Sequence, residues 1–523
     1  MATGGSHVIV IGAGVAGLGS ALALSRAGHR VTLLERDATP LPADPDAAFE
    51  WDRRGAPQVR HSHALLARLR NLLRDRFPDV LDALLDAGAT EMRFADNLPV
   101  EITDREPRPG DDDLVALACR RTTFEWVLRR AVLAADGVEL LDGTVAESLV
   151  TTRPPDGPEG APPTVTGVVI TAKGQPARTL PADLVVATVG RRSAVPRLLS
   201  NIGVDPASTS EDTGIVYLSR FYRLLDGAEL PDSDGPIGGD LGYLKYAVFQ
   251  GDNRTFSVTF AVATHDDELR SLLIEEPGFE LAAATLPTTL PWVQPDRARP
   301  ITEVHVMGGL LNRRVDFLDE AGQPIVLGFH AAGDAHTCTN PLYGRGCSLA
   351  MVQATLLADA LADHPDDPAA RAIAYEEASR REVLPWYRAS VNQDRLNRAE
   401  AAVDAVAEAA VDAADEAAAG PAHLASDQPV PAGEPTSAAD DAAAIEKAFM
   451  RDLMKDGLMP AVRTDATVFR AFVRSFNLLD PPDALITDPE VVGRVMTAYQ
   501  DRDQRPPEPP LGPPRHELLA SLG

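Results

Sequence analysis

The chain is short of cysteine, of basic charge and of long apolar runs, and each shortage removes a class of protein. Three cysteines in 523 residues, Cys119, Cys338 and Cys347, are too few and odd in number for a disulfide framework. Their spacing matches no zinc site. The set fits a reducing compartment, and a cytoplasmic location is expected. Lys and Arg number 49 against 77 Asp and Glu, a net charge of -28. Such a chain repels phosphate backbones and anionic lipid, so no nucleic-acid or membrane partner is expected. Part of the acidic excess is local to 400–447. No run of about 18 apolar residues is present to span a bilayer. The N-terminus, MATGGSHVIVIGAG, has no basic segment, and its apolar run leads straight into glycines. A buried strand explains it better than a signal peptide.

What is present is enough apolar residue for sizeable cores, 45% of the chain. The length suits two or three domains, or one large α/β body with additions. His7 to Ile11 reads as a buried strand, Val15 to about Ala27 as a helix, and Arg30 to Glu35 as a second strand. The Pro- and Asp-rich stretch 38–60 reads as loop, and His63 to Leu85 as one amphipathic helix. A helix over Thr122–Ala135 and strands at Val138–Leu141, 165–172 and Leu184–Thr188 follow, with a turn-rich loop at 152–163. From about 212 to 330 the segments GIVYLSRFYRL and RTFSVTFAVAT alternate with period two, which predicts a half-buried antiparallel sheet. Ile325 to Phe329 reads as another strand, and 347–363 as a long helix. Helices continue to about 417, the Ala-, Pro- and Gly-rich stretch 418–441 reads as a linker, and the rest is helical with a Pro-rich tail.

The sharpest motif is Gly12-x-Gly14-x-x-Gly17, between the first strand and the first helix. Gly12 permits the tight turn, Gly14 lets backbone approach a pyrophosphate, and Gly17 allows close helix–strand packing. Val15 and Ala16 lie in the same turn, where free N–H groups face the phosphates. Glu35 ends the second strand, where a carboxylate accepts ribose hydroxyls, and Arg36 follows it. An acid there disfavours a 2′-phosphate, so this site reads as one for FAD or NAD and not NADP.

Later motifs narrow the choice. Arg121 stands in CRRTTFEWVLRRAV, with Arg120 as its adjacent competitor, and Gly333-Asp334 in AAGDAHTCTNPLYGRGC. Together with the N-terminal fingerprint and the segment VVATVGRRSAVPRLL, these resemble the FAD-dependent monooxygenases of the p-hydroxybenzoate hydroxylase type over most of residues 6–400. The resemblance implies an α/β fold: a Rossmann-like FAD-binding domain (GR2-type) interleaved with an antiparallel-sheet substrate domain, plus C-terminal helices. On this reading 1–200 with 325–365 form the FAD-binding domain and 210–325 the substrate-binding sheet. Residues 366–417 are then a helical segment, 418–441 a flexible linker and 442–523 a C-terminal helical extension, which caps the substrate pocket or forms an oligomer contact.

The resemblance also assigns residues. Asp334 would bind a ribityl hydroxyl. Pro341, Gly344 and Gly346 would wrap the isoalloxazine, in front of a helix whose N-terminus faces the negative edge of reduced flavin. Arg121 would reach the pyrophosphate, and the backbone of Val145 the adenine. The segment GAPQVRHSHALL (55–66) is similar to a hydroxylase- and epoxidase-like subgroup of secondary metabolism and would set Arg60 and His61 near the flavin. His61 and His63 lack a third ligand for a metal. Cys347 opens the flavin helix, as a thiol of lowered pKa or a small buried residue.

The implied function is monooxygenation. FAD reduced by transient NAD(P)H takes up O2, and a flavin C4a-hydroperoxide hydroxylates or epoxidises a small organic substrate. No second GxGxxG follows, so NAD(P)H has no Rossmann domain of its own, or a separate reductase delivers reduced flavin. Val189 stands where the aromatic hydroxylases often carry an acid before Gly190, which puts the NADPH step in doubt. No W-x-W-x-I-P motif is present, which weighs against the flavin halogenases. Candidate substrate-wall residues are Tyr217, Phe221, Tyr246, Phe249 and Phe260. Three other readings remain: a flavin reductase of the geranylgeranyl reductase type, a flavin-binding partner without redox function, and an NAD-only dehydrogenase, which Gly333-Asp334 speaks against.

Overall fold

The computed structural model describes residues 5–153, 161–231, 237–399, 448–507 and 509–523. The linker expected at 418–441, the end of the helical segment at 400–417 and most of the loop at 152–163 lie outside these residues. A five-stranded parallel sheet holds the N-terminal half. Its order is Phe329–Ala331, Leu184–Ala187, His7–Ile11, Arg30–Leu34, Val138–Leu141. Val8, Ile9, Val10, Leu184, Val185 and Val186 are fully buried, as a strand covered on both faces requires. The helices Val15–Arg26 and Gly346–Asp363 pack on one another over this sheet. Because the strands next to His7–Ile11 run out to opposite sides, a crevice opens at their carboxyl ends.

A second, antiparallel sheet is built around Ile215–Leu224, Leu244–Gln250 and Thr255–Ala263. The sequence predicts it half-buried, yet Ile215–Leu224 and Thr255–Ala263 are buried on both faces. One face packs on the helices Asp267–Ile274 and Glu276–Thr285 through Leu218 and Phe260. The other face looks into a cavity. Hydroxyls and small residues sit on that face (Ser219, Ser257, Thr259, Ala261), and they produce the apparent polar alternation.

Three local expectations change. The helix read over His63 to Leu85 is two helices, Ala67–Arg76 and Pro78–Asp86. Pro78 has no N–H to continue the first, and it sits at the opening turn of the second. Leu65, read as helical, is extended and bridges Leu117. The strand read at Ile325–Phe329 forms at Phe329–Ala331 instead. Leu327 is occupied elsewhere: its N–H donates to Pro163 O, and it bridges Thr164. Within the loop expected at 38–60, short helices form at Pro45–Phe49 and Pro57–Arg60.

The C-terminal helices Ala466–Phe476 and Pro489–Gln500 share a core with Leu98, Ile102 and Leu114. Arg470 fixes them to Asp111 with bonds of 2.8 and 2.9 Å. Asn477 caps the helix Ala67–Arg76, its Oδ1 accepting from Ala67 N at 2.9 Å. The final helix, Arg515–Leu522, buries Leu518 against the helices behind the second sheet.

Candidate functional site

Two cavities meet at the centre of the molecule. The first is a cleft of about 270 Å³ at the carboxyl ends of the parallel strands. Gly12, Gly14, Val15, Ala16, Glu35, Arg36, Arg121 and Val145 line it. So do His61, Gly333, Asp334, Pro341, Gly344, Gly346 and Cys347, from more than two hundred residues away in places. Two sequence candidates lie elsewhere. Arg60 ends the short helix Pro57–Arg60 outside the lining, on the side of His305. Gly17 does not face the cleft; a Cβ there would stand 1.7 Å from Gly12 O, so its hydrogen sets the helix–turn distance.

The end of the cleft at the glycine turn is shaped by Gly12, at φ +104, and by open space beside Gly14. A Cβ on Gly14 or on Gly346 would meet no atom within 4 Å, so each glycine leaves room on the cleft side. Glu35 is buried, and Ala13 N and Asp37 N donate to its two oxygens at 3.1 and 3.0 Å. Each oxygen keeps a lone pair for a ligand hydroxyl. Arg53 is a residue that sequence reasoning missed. Its Nη2 donates to Ala13 O at 2.8 Å and lies 3.6 Å from Glu35 and 3.4 Å from Glu125. Its guanidinium stacks 4.7 Å from the Trp51 ring. Arg53 sits in an irregular loop with no motif spacing, so only the tertiary fold brings it here.

The structure separates Arg120 from Arg121. Arg120 is buried with Asp252 in a 2.6 Å ion pair, away from the cleft. Arg121 enters the cleft; its Nε donates to Glu125 at 2.8 Å and its Nη1 to His63 Nε2 at 3.2 Å. His63 Nδ1 bonds to His61 O at 2.9 Å. Burial, and then the Arg121 charge, push the His63 pKa well below the usual histidine range. His61 is pushed to about 3 by burial and by His305, and its Nδ1 bonds to Ser219 Oγ at 3.2 Å. Both rings are therefore neutral at physiological pH. Burial raises the Cys347 thiol, and Arg121 opposes only part of that rise. Of the two readings of Cys347, the small buried residue agrees with this environment, and the thiol of lowered pKa does not.

The second cavity, of about 500 Å³, lies between the antiparallel sheet, the Pro341–Gly344 turn, the helix at 384–399 and the C-terminal helices. Its lining includes Tyr217, Tyr246 and Phe249 of the expected substrate wall. Phe221 and Phe260 are not part of it. Phe221 lies farther along its strand, edge-on to Phe49 at 5.2 Å, and Phe260 faces the other side, 4.6 Å from Phe279. Phe472, Ser475, Phe476, Pro482 and Leu485 of the C-terminal extension line another side of the cavity. His61, Ser62, Met307, Pro341 and Gly344 line both cavities, so the two share a wall.

Comparison with known proteins adds to this geometry. A family model described as FAD dependent oxidoreductase matches residues 7–44. Protein Rv3254 of Mycobacterium tuberculosis is 30% identical over 378 residues, 68% of this chain and 73% of the relative. Among solved structures, the flavin-dependent halogenase CmlS is 18% identical with a TM-score of 0.52, covering 73% of this chain. The chain spans 63% of the halogenase's length, less than two thirds. PqsL of Pseudomonas aeruginosa, a probable FAD-dependent monooxygenase, is 17% identical with a TM-score of 0.51, covering 75% of this chain and 94% of its own. At such identities the two structures show a shared fold.

Proposed function

Because the chain belongs to one family with protein Rv3254 and its residues 7–44 match a family model described as FAD dependent oxidoreductase, we propose that it is an FAD-dependent monooxygenase. It inserts one atom of O2 into a small organic substrate, by hydroxylation or epoxidation. The observation that carries this reading is the shared wall, which sets a largely apolar cavity directly beside the dinucleotide cleft. The residues present fit FAD. Gly14 and Gly346 leave room that a Cβ would fill, Glu35 keeps acceptor capacity, and Arg191 Nη1 in the cleft is buried with no hydrogen-bond partner among the described residues.

In this reading Gly12, Gly14 and the turn Val15–Ala16 hold the pyrophosphate with Arg121, Glu35 holds the ribose, and Asp334 the ribityl chain. Pro341, Gly344 and Gly346 carry the ring. Bound FAD supplies the redox chemistry with O2, drawing electrons from NAD(P)H. The protein's part is to exclude water and orient the substrate. Phe472, Phe476 and Leu485, which line the cavity, would serve the first task. The domain scheme follows: parallel sheet for cofactor, antiparallel sheet for substrate, C-terminal extension as cap.

The test is isotopic. FAD-loaded protein is reduced with NADH or NADPH, exposed to ¹⁸O2 with a panel of aromatic and alkene compounds, and the products weighed by mass spectrometry. One ¹⁸O atom per product molecule is expected. A product formed without O2 and gaining two hydrogens would make the chain an alkene reductase. Flavin that no reductant can cycle would make it a non-redox flavoprotein.

A further inference from the structure

One buried carboxylate serves two arginines of the cleft. Glu125, on the helix Arg121–Ala134, is fully buried and is not itself part of the cleft lining. Its Oε1 accepts from Arg121 Nε at 2.8 Å and stands 2.8 Å from Arg121 Nη2. Its Oε2 has no hydrogen-bond partner among the described residues and stands 3.4 Å from Arg53 Nη2. That Arg53 nitrogen donates to Ala13 O at 2.8 Å and lies 3.6 Å from Glu35 Oε2. It is held between two carboxylates and bonded to neither. Trp51 fixes its plane: the guanidiniums of Arg53 and Arg129 lie 4.7 and 5.4 Å from that ring. A line of charged and polar side chains thus runs along the cleft, from His63 through Arg121, Glu125 and Arg53 to Glu35.

The two arginines stand at different ends of the cleft. Arg53 holds the glycine turn beside Glu35, and Arg121 stands beside His63 at the wall shared with the second cavity. Glu125 is what they have in common. We propose that Glu125 is a positioning residue that couples the two ends of the dinucleotide site, setting Arg121 for the pyrophosphate and Arg53 for the ribose acid Glu35 at once. A buried carboxylate without a cation is strongly disfavoured, so it takes up more of either arginine when the other is lost. With Arg121 gone, Oε2 closes the 3.4 Å gap and draws off the Arg53 N–H that Ala13 O holds. With Arg53 gone, Arg121 is drawn onto both oxygens. Either loss therefore disturbs both ends of the site, and losing both arginines costs less affinity than the two separate losses combined. Residues that shared no partner would act independently.

The proposal rests on the reading of this cleft as the FAD site, and its test needs no turnover. Full-length protein freed of flavin is titrated calorimetrically with FAD and, separately, with ADP, which carries both a ribose and a pyrophosphate. The proteins are wild type, Arg53→Met, Arg121→Met and the double variant, and the same set carrying Glu125→Gln. With Glu125 present, each single substitution is expected to weaken both ligands about tenfold, and the double variant about twentyfold instead of about a hundredfold, a coupling of about fivefold. With Glu125→Gln the losses multiply, because the shared carboxylate is gone. A carboxylate that only braced the fold would lower melting temperatures and leave the affinities uncoupled. If Glu125→Gln does not fold, the cycle in its presence decides alone. Losses that multiply with Glu125 in place would overturn the proposal, as would coupling undiminished in Glu125→Gln. If FAD binds and the losses multiply, only this proposal fails. If ADP shows the coupling and FAD does not bind, the proposal stands and the FAD reading fails. Protein that binds neither ligand would overturn both.

Discussion

Arg121 gives an N–H to His63 Nε2 at 3.2 Å, and that one bond decides the state of the histidine. A guanidinium can only donate, so Nε2 is the acceptor and the ring proton sits on Nδ1, where it meets His61 O at 2.9 Å. The chain from Arg121 through His63 to the backbone at 61 orients a cation in the cleft at the ends of the parallel strands and ties it to the wall shared with the second cavity.

Neighbouring arginines therefore have separable roles. Arg121→Ala is expected to weaken FAD binding by about tenfold or more; buried Glu125 loses its 2.8 Å partner but keeps Arg53 at 3.4 Å, so the melting temperature falls less than in Arg120→Ala. Arg120→Ala leaves Asp252 buried without its 2.6 Å partner, and breaking such a pair costs about 3–5 kcal/mol. Flavin titration and thermal melts of the two variants check this; equal effects on both readouts would refute it.

Two glycines of one motif are separable in the same way. Gly14→Ala has room for its methyl group in the apoprotein, so the fold is retained and FAD affinity is lost. At Gly17→Ala the Cβ is driven to 1.7 Å from Gly12 O, so the apoprotein itself loses stability, by about 1–3 kcal/mol or more. Chemical denaturation of both apoproteins, alongside flavin retention, distinguishes them. A Gly14→Ala protein that keeps its flavin would contradict the assignment of that space.

Acid sensitivity follows from the buried histidines. Burial lowers His61 and His330 to about 3, and His63 well below its usual value. A histidine whose folded pKa is depressed binds its proton more readily when unfolded. Its contribution is thus complete above about pH 6.5, the unfolded value, and declines as pH falls towards the folded value. Melting temperature is expected to drop between pH 7 and pH 5, and His330→Gln, remote from the cleft, to flatten the drop. A pH-independent melt across that range would disprove it.

All three thiols are buried, and burial raises each of them. Native protein is expected to react slowly with a thiol-specific disulfide reagent, and unfolded protein to expose three reactive groups. Rapid native labelling at Cys347 would show that its environment differs from the one described.

Legibility from sequence followed the range of the forces involved. His7–Ile11, Val15–Arg26 and Arg30–Leu34 were readable because each is set by local pattern: an apolar strand, glycines at a turn, an apolar helix face. The helix read over His63 to Leu85 breaks at a proline, a signal present in the sequence but outweighed there by leucine spacing. The early strand at Ile325 was not readable, because Leu327 is held by Pro163 through a pairing between distant segments. Arg60 and Arg121 look alike as arginines beside motif residues, and only the direction of the backbone sends one to the cleft and the other out of its lining.

By itself the sequence determined the βαβ unit, the acid at Glu35 and the glycine loop before Gly346–Asp363, because contacts within a few dozen residues suffice for them. Tertiary structure alone decided the composition of the second cavity. Its wall draws on strands, the Pro341–Gly344 turn, the helix at 384–399 and Phe472 to Leu485. Which face of a strand or helix looks into that space depends on what packs against the opposite face, and Phe221 and Phe260 are turned away by Phe49 and Phe279. The pairing of Tyr343 with Asp394 has the same origin: fifty residues of chain must fold back before a hydroxyl and a carboxylate can come within 2.7 Å.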